Sequence, residues 1–251
     1  MARYLGNSSH SDPGLTFLDG ALNEYGASSV LYISFGSMFF PPPEHLSVLV
    51  EAILALEKPT PFLMTTPGAH GHFPEYLEDK IKQSRLGILV SWVDQQSVLS
   101  HPATGWMLSH CGAGGTFQAL SQGVPIIAWP FAVDQPQHAL WVTDVLDAGF
   151  YLIQNRTSLA ATLKASRGGP AGLRIIGTQQ AIRMELDNVL RQAQGFVGAK
   201  KRANAQRAGR AIWQYIEPDG KAWNELERLR MYSHEGISTG YLNIVAMQAM
   251  V

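Results

Sequence analysis

Short apolar runs rich in β-branched and aromatic residues alternate with longer amphipathic stretches along residues 30–154. The first run, "VLYISFGS" (30–37), has the composition of a buried strand. Five more follow it in the order "PFLMTT", "GILVSW", "TGWMLSH", "PIIAWP" and "FYLIQ". Because helical stretches separate the six, we predict a doubly wound, six-stranded parallel sheet, which is a Rossmann-like α/β fold.

The amphipathic stretches predict the helices between these strands. The first begins at Pro43, a residue type favoured in the first turn of a helix, and the others are "QQSVLS", "GAGGTFQALSQ" and "QPQHALWVTDVLDAG". Residues 67–86 carry no clear pattern. Residues 1–28 are expected to form a linker-like N-terminal segment.

The chain changes character after Gln154. A polar segment of small residues follows and predicts a surface loop with some helix. Three long helical patterns then predict closing helices, a helical tail over residues 172–232: "LRIIGTQQAIRMELDNVLRQAQ", "AKKRANAQRAGRAIWQYIE" and "KAWNELERLRMY". We expect residues 29–251 to form one domain.

Composition and charge narrow the function classes. The 251 residues are 46% hydrophobic and 16% charged, enough for a sizeable core. A net charge of −1 gives no electrostatic footprint for nucleic acid, and the basic "KKRANAQRAGR" fits a solvated helix face. One cysteine excludes an internal disulfide and a multi-cysteine metal site. With no membrane span or secretion signal in the sequence, we expect a cytoplasmic protein.

The stretch "WMLSHCGAGGTFQALSQGVPIIAWP" (106–130) has the pattern of an anion site. A strand ends near His110, a glycine-rich turn follows, and a helix opens near Thr116. Glycines let a ligand approach the main chain, and a helix N-terminus offers unpaired N–H groups with about +0.5 of partial charge. The alternative is that these glycines only permit tight packing. The spacing matches neither G-x-G-x-x-G nor the P-loop, which argues against a nicotinamide dehydrogenase.

The surrounding 44 residues, from Trp92 to Gln135, carry a more specific signal. They resemble, without gaps, the donor-sugar box of family 1 UDP-glycosyltransferases, and "HPATGWMLSHCG" looks especially like fungal members. The matching positions are Trp92, Gln95, Leu99, His101, Gly105, His110, Cys111, Gly112, Gly123, Val124, Pro125, Pro130, Asp134 and Gln135. "SSVLYISFGSM" resembles the first strand of the family's C-terminal domain. The resemblance implies the C-terminal, nucleotide-sugar-binding half of a GT-B fold.

The resemblance also implies a role for each matched residue. Trp92 would stack on uracil and the Val93 main chain would read its edge, while Gln95 would bind the ribose. The diphosphate would be held by a larger set, in which N–H groups dominate: Ser37, His110, Gly112, Gly114, Gly115 and Thr116. Gln118 stands where the family has a ribose-binding glutamate, so its neutral oxygen would bind more weakly.

Asp134 and Gln135 would grip sugar hydroxyls, because a carboxylate accepts and an amide both donates and accepts. Simpler interpretations stay open for several of these residues. Trp92 fits a strand-end core aromatic, Gln95 an exposed polar residue at a helix start, and Asp134 a helix cap. His101 is expected to be structural, and the other histidines solvated or incidentally packed.

The implied reaction is transfer of a hexose from a UDP-sugar to a hydroxyl of a small, lipophilic acceptor, with inversion. The resemblance implies that the reaction needs no metal, because the helix N-terminus and His110 would stabilise the departing UDP. We expect no cofactor, with the UDP-sugar as co-substrate. The family's general base belongs to an N-terminal domain that this sequence lacks, so we expect the isolated chain to be weak or inactive. Two alternatives stay open: a non-catalytic nucleotide-sugar-binding subunit that pairs with a separate acceptor-binding half, and an inactive pseudoenzyme.

Overall fold

A six-stranded parallel sheet forms the centre of the structure, which is a computed structural model that describes residues 12–38, 40–66, 73–156 and 174–234. The strands lie in the order β3-β2-β1-β4-β5-β6, and every neighbouring pair is parallel. They are β1 (Val30–Ser34), β2 (Phe62–Thr65), β3 (Gly87–Val90), β4 (Thr104–Ser109), β5 (Ile126–Ala128) and β6 (Gly149–Tyr151). The doubly wound sheet predicted from the sequence is confirmed.

Helices connect the strands and close the chain. Within the described residues they are α1 (Pro13–Tyr25), α2 (Pro43–Leu54), α3 (Glu75–Ser84), α4 (Gln95–Ser100), α5 (Ala113–Ser121), α6 (Gln135–Leu140), α7 (Gln179–Gln194), α8 (Phe196–Ile216) and α9 (Lys221–His234). A π-helical turn, Trp141–Val145, continues α6. No helix in these described ranges combines the length and apolar character of a membrane span.

The chain divides into two compact units, residues 1–208 and 209–251, with the boundary inside α8. One domain was expected from residue 29 to 251. The first unit contains the whole sheet together with α1 to α7. The predicted closing helices are present as α7, α8 and α9. Most of the predicted surface loop, residues 157–173, lies outside the described residues.

Helix α1 lies in the segment for which the sequence predicted a linker. Asp12 caps the helix by accepting the N–H of Gly14 at 2.7 Å, and Pro13 occupies the first turn. Leu18 is fully buried, so the helix packs as part of the first unit. The sequence analysis missed α1 because only a few of its residues face the core. The signal that could have revealed it is Asp12 followed by Pro13, which is typical of a helix start.

Helix α3 also lies in a segment without a recognised pattern, residues 67–86. Its buried side chains are Leu77 and Ile81, one turn apart. Two apolar positions among charged residues make a stripe too narrow to stand out against the surrounding sequence. Residues 67–72, the first part of that segment, lie outside the described residues.

The carboxyl ends of β1 and β4 are level, because Ser34 pairs with Ser109. The strand order reverses between these two strands, and in a parallel sheet this is where the following connections diverge and leave a crevice. Phe35 anchors the chain as it leaves β1, with edge-on ring contacts to Phe40 and Trp129, each at 5.5 Å between ring centroids. The sheet therefore brings the turns after β1 and β4 side by side over an aromatic support.

The last strand was predicted over residues 150–154, but in the structure β6 ends at Tyr151. Beyond it, the N–H groups of Ile153 and Gln154 donate to the Glu185 carboxylate of α7, at 3.0 and 2.9 Å, instead of extending a ladder. Burial raises the pKa of Glu185, and the two N–H donors oppose that shift. This contact joins α7 to the segment that follows the last strand.

Replacing Glu185 with alanine should lower the free energy of unfolding by about 2 kcal/mol, because two main-chain N–H groups lose their acceptor. Urea denaturation followed by circular dichroism measures the change. Met184→Ala is the matched control, because Met184 precedes Glu185 on α7 and its side chain is 65% exposed. Equal losses in the two variants would contradict the role given to Glu185.

Candidate functional site

The turn between β4 and α5 presents main-chain N–H groups at the carboxyl edge of the sheet. Cys111 adopts a left-handed conformation, with φ of 63°, and its N–H donates to the Ser109 hydroxyl at 3.0 Å. The first main-chain bond of the helix runs from the Thr116 N–H to the Gly112 carbonyl at 3.0 Å. The N–H groups that precede Thr116 lie in the first turn and have no helical acceptor, so they can bind an anion.

Thr116 does not belong to this set of donors, which corrects the prediction. Its N–H is already engaged in the helix, and its side chain is fully buried. The hydroxyl oxygen is buried as well, so it is not open to the crevice. The predicted anion site therefore consists of earlier amides, from Gly112 to Gly115.

His110 is held between two glycines. A Cβ atom added at Gly36 would lie 2.8 Å from the imidazole Nε2, and one added at Gly112 would lie 2.5 Å from it. Gly36 also has φ of +73°, a conformation that residues with a side chain rarely adopt. The "FGS" turn after β1 thus leaves room for the imidazole that β4 supplies. Ser37, the next residue, is exposed in the same turn.

The surroundings of the His110 imidazole favour its uncharged form. Burial lowers its pKa, while the main chain of Ser34 and the negative charge of Asp134 oppose that shift. A neutral imidazole can donate one hydrogen bond to a phosphate oxygen but brings no positive charge.

Gly36 and Gly112 have no room for a side chain beside His110, but the two glycines at the start of α5 do. A Cβ added at Gly114 would meet nothing within 4 Å, and one at Gly115 would make ordinary contacts, the nearest 3.5 Å from the Met107 methyl carbon. Tight packing therefore does not explain the glycines at the helix start. They leave the first turn of α5 open to a ligand.

Gln95 and Gln118 form a hydrogen-bonded pair. The Gln95 amide donates to Oε1 of Gln118, and its own oxygen accepts from the Tyr32 hydroxyl at 3.1 Å. The interpretation of Gln95 as an exposed polar residue is therefore wrong. Tyr32 was not predicted as part of the site, although a tyrosine inside a fully buried strand needs a polar partner.

Trp92 and Val93 follow β3 and point in different directions. Trp92 is 75% exposed, so the alternative of a core aromatic is wrong. Val93 is buried, and a Cβ added at Gly14 of α1 would lie 3.0 Å from it. The indole of Trp92 is therefore open to solvent, while the buried Val93 packs against α1. Helix α4 begins at Gln95, two residues after Val93, so the Gln95–Gln118 pair lies near this end of β3.

Asp134 and Gln135 open α6 but use their side chains differently. Asp134 occupies the cap position without a side-chain cap hydrogen bond, so the capping alternative is wrong. Gln135 is buried, and its oxygen accepts the N–H groups of Phe131 and Ala132 at 2.9 and 3.1 Å. The amide oxygen predicted to accept from a sugar is thus occupied, which leaves the NH₂ group as a donor.

Two histidines outside the predicted site make hydrogen bonds that join the elements around it. His101 contacts Asp19 of α1 at 3.2 Å and accepts the Ala103 N–H, which agrees with the structural role expected of it. His138 was expected to be incidental, yet its Nδ1 lies 3.0 Å from the Cys111 carbonyl. No spacing in the sequence signals this contact, because it joins two turns that only the fold brings together.

The first unit therefore gathers most of the predicted residues along one edge of the sheet. Across the described ranges, no group of three His, Cys, Asp or Glu side chains is arranged to hold a metal ion. The donors at the edge are main-chain N–H groups, an imidazole and side-chain amides. Such a set suits a phosphate with attached hydroxyl-bearing groups.

A family model described as UDP-glucoronosyl and UDP-glucosyl transferase matches residues 6–164, more than half of the chain. The chain belongs to this family. The family 1 resemblance seen in the sequence is thereby confirmed.

This UDP-glycosyltransferase chain is similar to curated relatives from a fungus and from plants. It is 36% identical over 179 residues to UDP-glycosyltransferase eriJ of Hericium erinaceus, covering 70% of this chain and 34% of that protein. It is 38% identical over 133 residues to flavonol 3-O-glucosyltransferase F3GT2 of Actinidia chinensis var. chinensis, covering 52% and 28%. The chain thus spans about a third of the length of these relatives.

Solved structures agree on the fold. The crystal structure of Os79 from O. sativa in complex with UDP superposes with a TM-score of 0.67 at 24% identity, covering 86% of this chain and 42% of that chain. Phytolacca americana UGT2, complexed with UDP-2fluoro-glucose and pterostilbene, gives 0.64 at 25%, covering 88% and 44%. The UDP-glycosyltransferase chain therefore has the fold of one half of these GT-B proteins, as the sequence predicted.

Cys111 should be chemically inert in the folded chain. It is fully buried, and burial raises the pKa of its thiol to about 12, so about one molecule in ten thousand is a thiolate at pH 8. Ellman's reagent should label it only slowly in buffer and completely in denaturant. Rapid stoichiometric labelling without denaturant would show that the turn before α5 opens freely.

Proposed function

We propose that the crevice at the ends of β1 and β4 binds the diphosphate of a UDP-sugar, and that the chain supplies the donor side of a hexosyltransferase. The observation that carries this is the arrangement of His110 between Gly36 and Gly112, directly beside the open first turn of α5. Os79 in complex with UDP, and UGT2 complexed with UDP-2fluoro-glucose, support the same ligand class here.

The nucleoside would extend from this crevice along the sheet edge. Trp92 would stack on uracil, a contact worth roughly 1–3 kcal/mol for bases on aromatic rings, while the Val93 main chain reads the base edge. The Gln95–Gln118 pair would meet the ribose. Because Gln118 is neutral and already accepts from Gln95, we propose weaker ribose binding than a carboxylate would give.

The hexose would lie at the start of α6. Asp134 has a 54% exposed carboxylate that makes no side-chain cap hydrogen bond and can accept from two neighbouring hydroxyls. Gln135 would contribute only its NH₂ group, since its oxygen holds the Phe131 and Ala132 amides. Ser37 would add a hydroxyl donor to the phosphates from the turn after β1.

In the proposed reaction, an acceptor oxygen attacks the anomeric carbon from the face opposite the diphosphate. The new bond between the acceptor oxygen and the anomeric carbon forms as the bond to the β-phosphate oxygen breaks, which inverts the configuration. Negative charge then grows on the departing UDP, where the α5 amides and His110 stabilise it. A general base takes the acceptor proton, and we assign it to the N-terminal domain of the family. We propose a small, lipophilic acceptor.

A weaker candidate function is a nucleotide-sugar-binding subunit, or a pseudoenzyme, that performs no transfer by itself. The neutral, mutually bonded Gln95–Gln118 pair favours it, because this pair offers the ribose no charged acceptor. Undetectable UDP binding at millimolar ligand would support the pseudoenzyme.

Trp92→Ala should weaken UDP binding by about tenfold or more, since the base loses its stacking partner. Isothermal titration calorimetry of the 251-residue chain measures the change. Phe196→Ala is the control: that side chain is 87% exposed and follows α7, whose Gln194 bonds Lys58 and Thr60 at the opposite edge of the sheet. Unchanged affinity in Trp92→Ala would remove uracil from this position.

The purified 251-residue chain should transfer sugar from UDP-glucose to phenolic acceptors slowly or not at all, because the proposed general base and acceptor surface lie outside it. Product formation measured by liquid chromatography and mass spectrometry checks this. Addition of the N-terminal half of a relative should restore activity if the crevice is a working donor site. Sustained turnover by the chain alone would refute the assignment of the base.

A further inference from the structure

We propose that His138 on α6 is a positioning residue for the diphosphate site, which aims the Gly112 N–H by holding the neighbouring carbonyl. The proposal rests on the proposed function, because Gly112 supplies one of the amides assigned to the diphosphate. His138 itself touches no proposed ligand. It acts through the peptide unit between Cys111 and Gly112.

The contact that carries the proposal joins two turns. Nδ1 of His138 lies 3.0 Å from the Cys111 carbonyl oxygen, across 27 residues of sequence. A carbonyl oxygen only accepts hydrogen bonds, so Nδ1 carries the proton in this contact. The ring therefore ties the start of α6 to the turn before α5.

The held carbonyl sets the direction of the next amide. The Cys111 carbonyl and the Gly112 N–H belong to one planar trans peptide unit, in which the two groups point in opposite directions. When His138 draws the carbonyl toward α6, the Gly112 N–H must face away from α6. Gly112 borders the imidazole of His110, so the ring and the amide form neighbouring donors for one anion.

The turn needs this support because its conformation is unfavourable. Cys111 has φ of 63°, which is uncommon for a residue with a Cβ atom. Its peptide groups are held on both sides, by Ser109 through the N–H and by His138 through the carbonyl. Removal of the second contact leaves the carbonyl free to rotate, and the Gly112 N–H rotates with it.

The same ring connects the diphosphate turn to the proposed hexose contact. Asp134, one helical turn earlier on α6, has its Oδ2 3.8 Å from His138 Nδ1. That distance is too long for a hydrogen bond, so the Asp134 carboxylate stays available to hydroxyls. His138 thus fixes the spacing between the amides for the phosphate and the carboxylate for the sugar.

Three substitutions separate the hydrogen bond from the bulk of the ring. His138→Asn places an NH₂ group as many bonds from Cα as Nδ1, whereas His138→Gln places it one bond further and His138→Ala removes it. We expect UDP to bind the Ala and Gln variants about tenfold more weakly and the Asn variant within about twofold of the unsubstituted chain, by calorimetry. Gln137→Ala, an exposed neighbour on α6, should bind normally.

Uridine, which has no phosphate, serves as the second probe. Ligand-observed NMR should show equal uridine binding by all variants, because the base end of the site is untouched. Unchanged UDP affinity in His138→Ala, equal losses in the Ala and Asn variants, or a parallel loss of uridine would each overturn the proposal while the proposed function stands.

Amide NMR spectra test the proposal without any ligand. The Gly112 cross-peak should shift in His138→Ala and return close to its original position in His138→Asn. If the unsubstituted chain binds no UDP, the proposed function fails, and this measurement alone decides whether His138 orients the peptide. An unmoved Gly112 cross-peak in His138→Ala would overturn the positioning role.

Discussion

The proposed donor site depends on one steric constraint: the imidazole of His110 fits only because two facing positions have no Cβ. Gly36 comes from the turn after β1 and Gly112 from the turn after β4, and a side chain at either would overlap Nε2. These turns face each other because Ser34 and Ser109 are in register where the strand order reverses. The strand order and register of the sheet therefore determine the geometry of the proposed site.

The polar groups around this ring are mostly neutral, which decides how a diphosphate would be bound. Burial lowers the pKa of His110 and so favours the uncharged ring, and the side chain of Gln118 carries no charge. Without a cation in the proposed contact set, the anion would be met by oriented N–H dipoles at the start of α5. An N–H dipole attracts an anion only when its hydrogen points at the anion. A site of this kind therefore depends more on the geometry of its turn than a site built on lysine or arginine would.

The sequence predicted the elements whose apolar residues fill a whole face, and it missed those with a narrow stripe. All six strands were predicted, whereas α1 and α3 were not, because the fold buries only a few of their side chains. The site shows the same division. The position of His110 followed from its motif, but the use of the Gln135 oxygen by Phe131 and Ala132 did not. Such contacts depend on loop conformation, which no residue pattern encodes.

The chemistry of sugar transfer divides between a leaving group and a nucleophile, and the residues proposed here serve the leaving group. The groups proposed to stabilise the departing UDP lie within residues 32–138, on one edge of one sheet. They are positioned by contacts inside the first unit, such as Tyr32 with Gln95 and Ser109 with Cys111. The proposed donor site can therefore form without an acceptor surface. In the proposed reaction the attacking oxygen approaches from the side opposite the diphosphate, so a surface that faces this edge of the sheet would have to supply it.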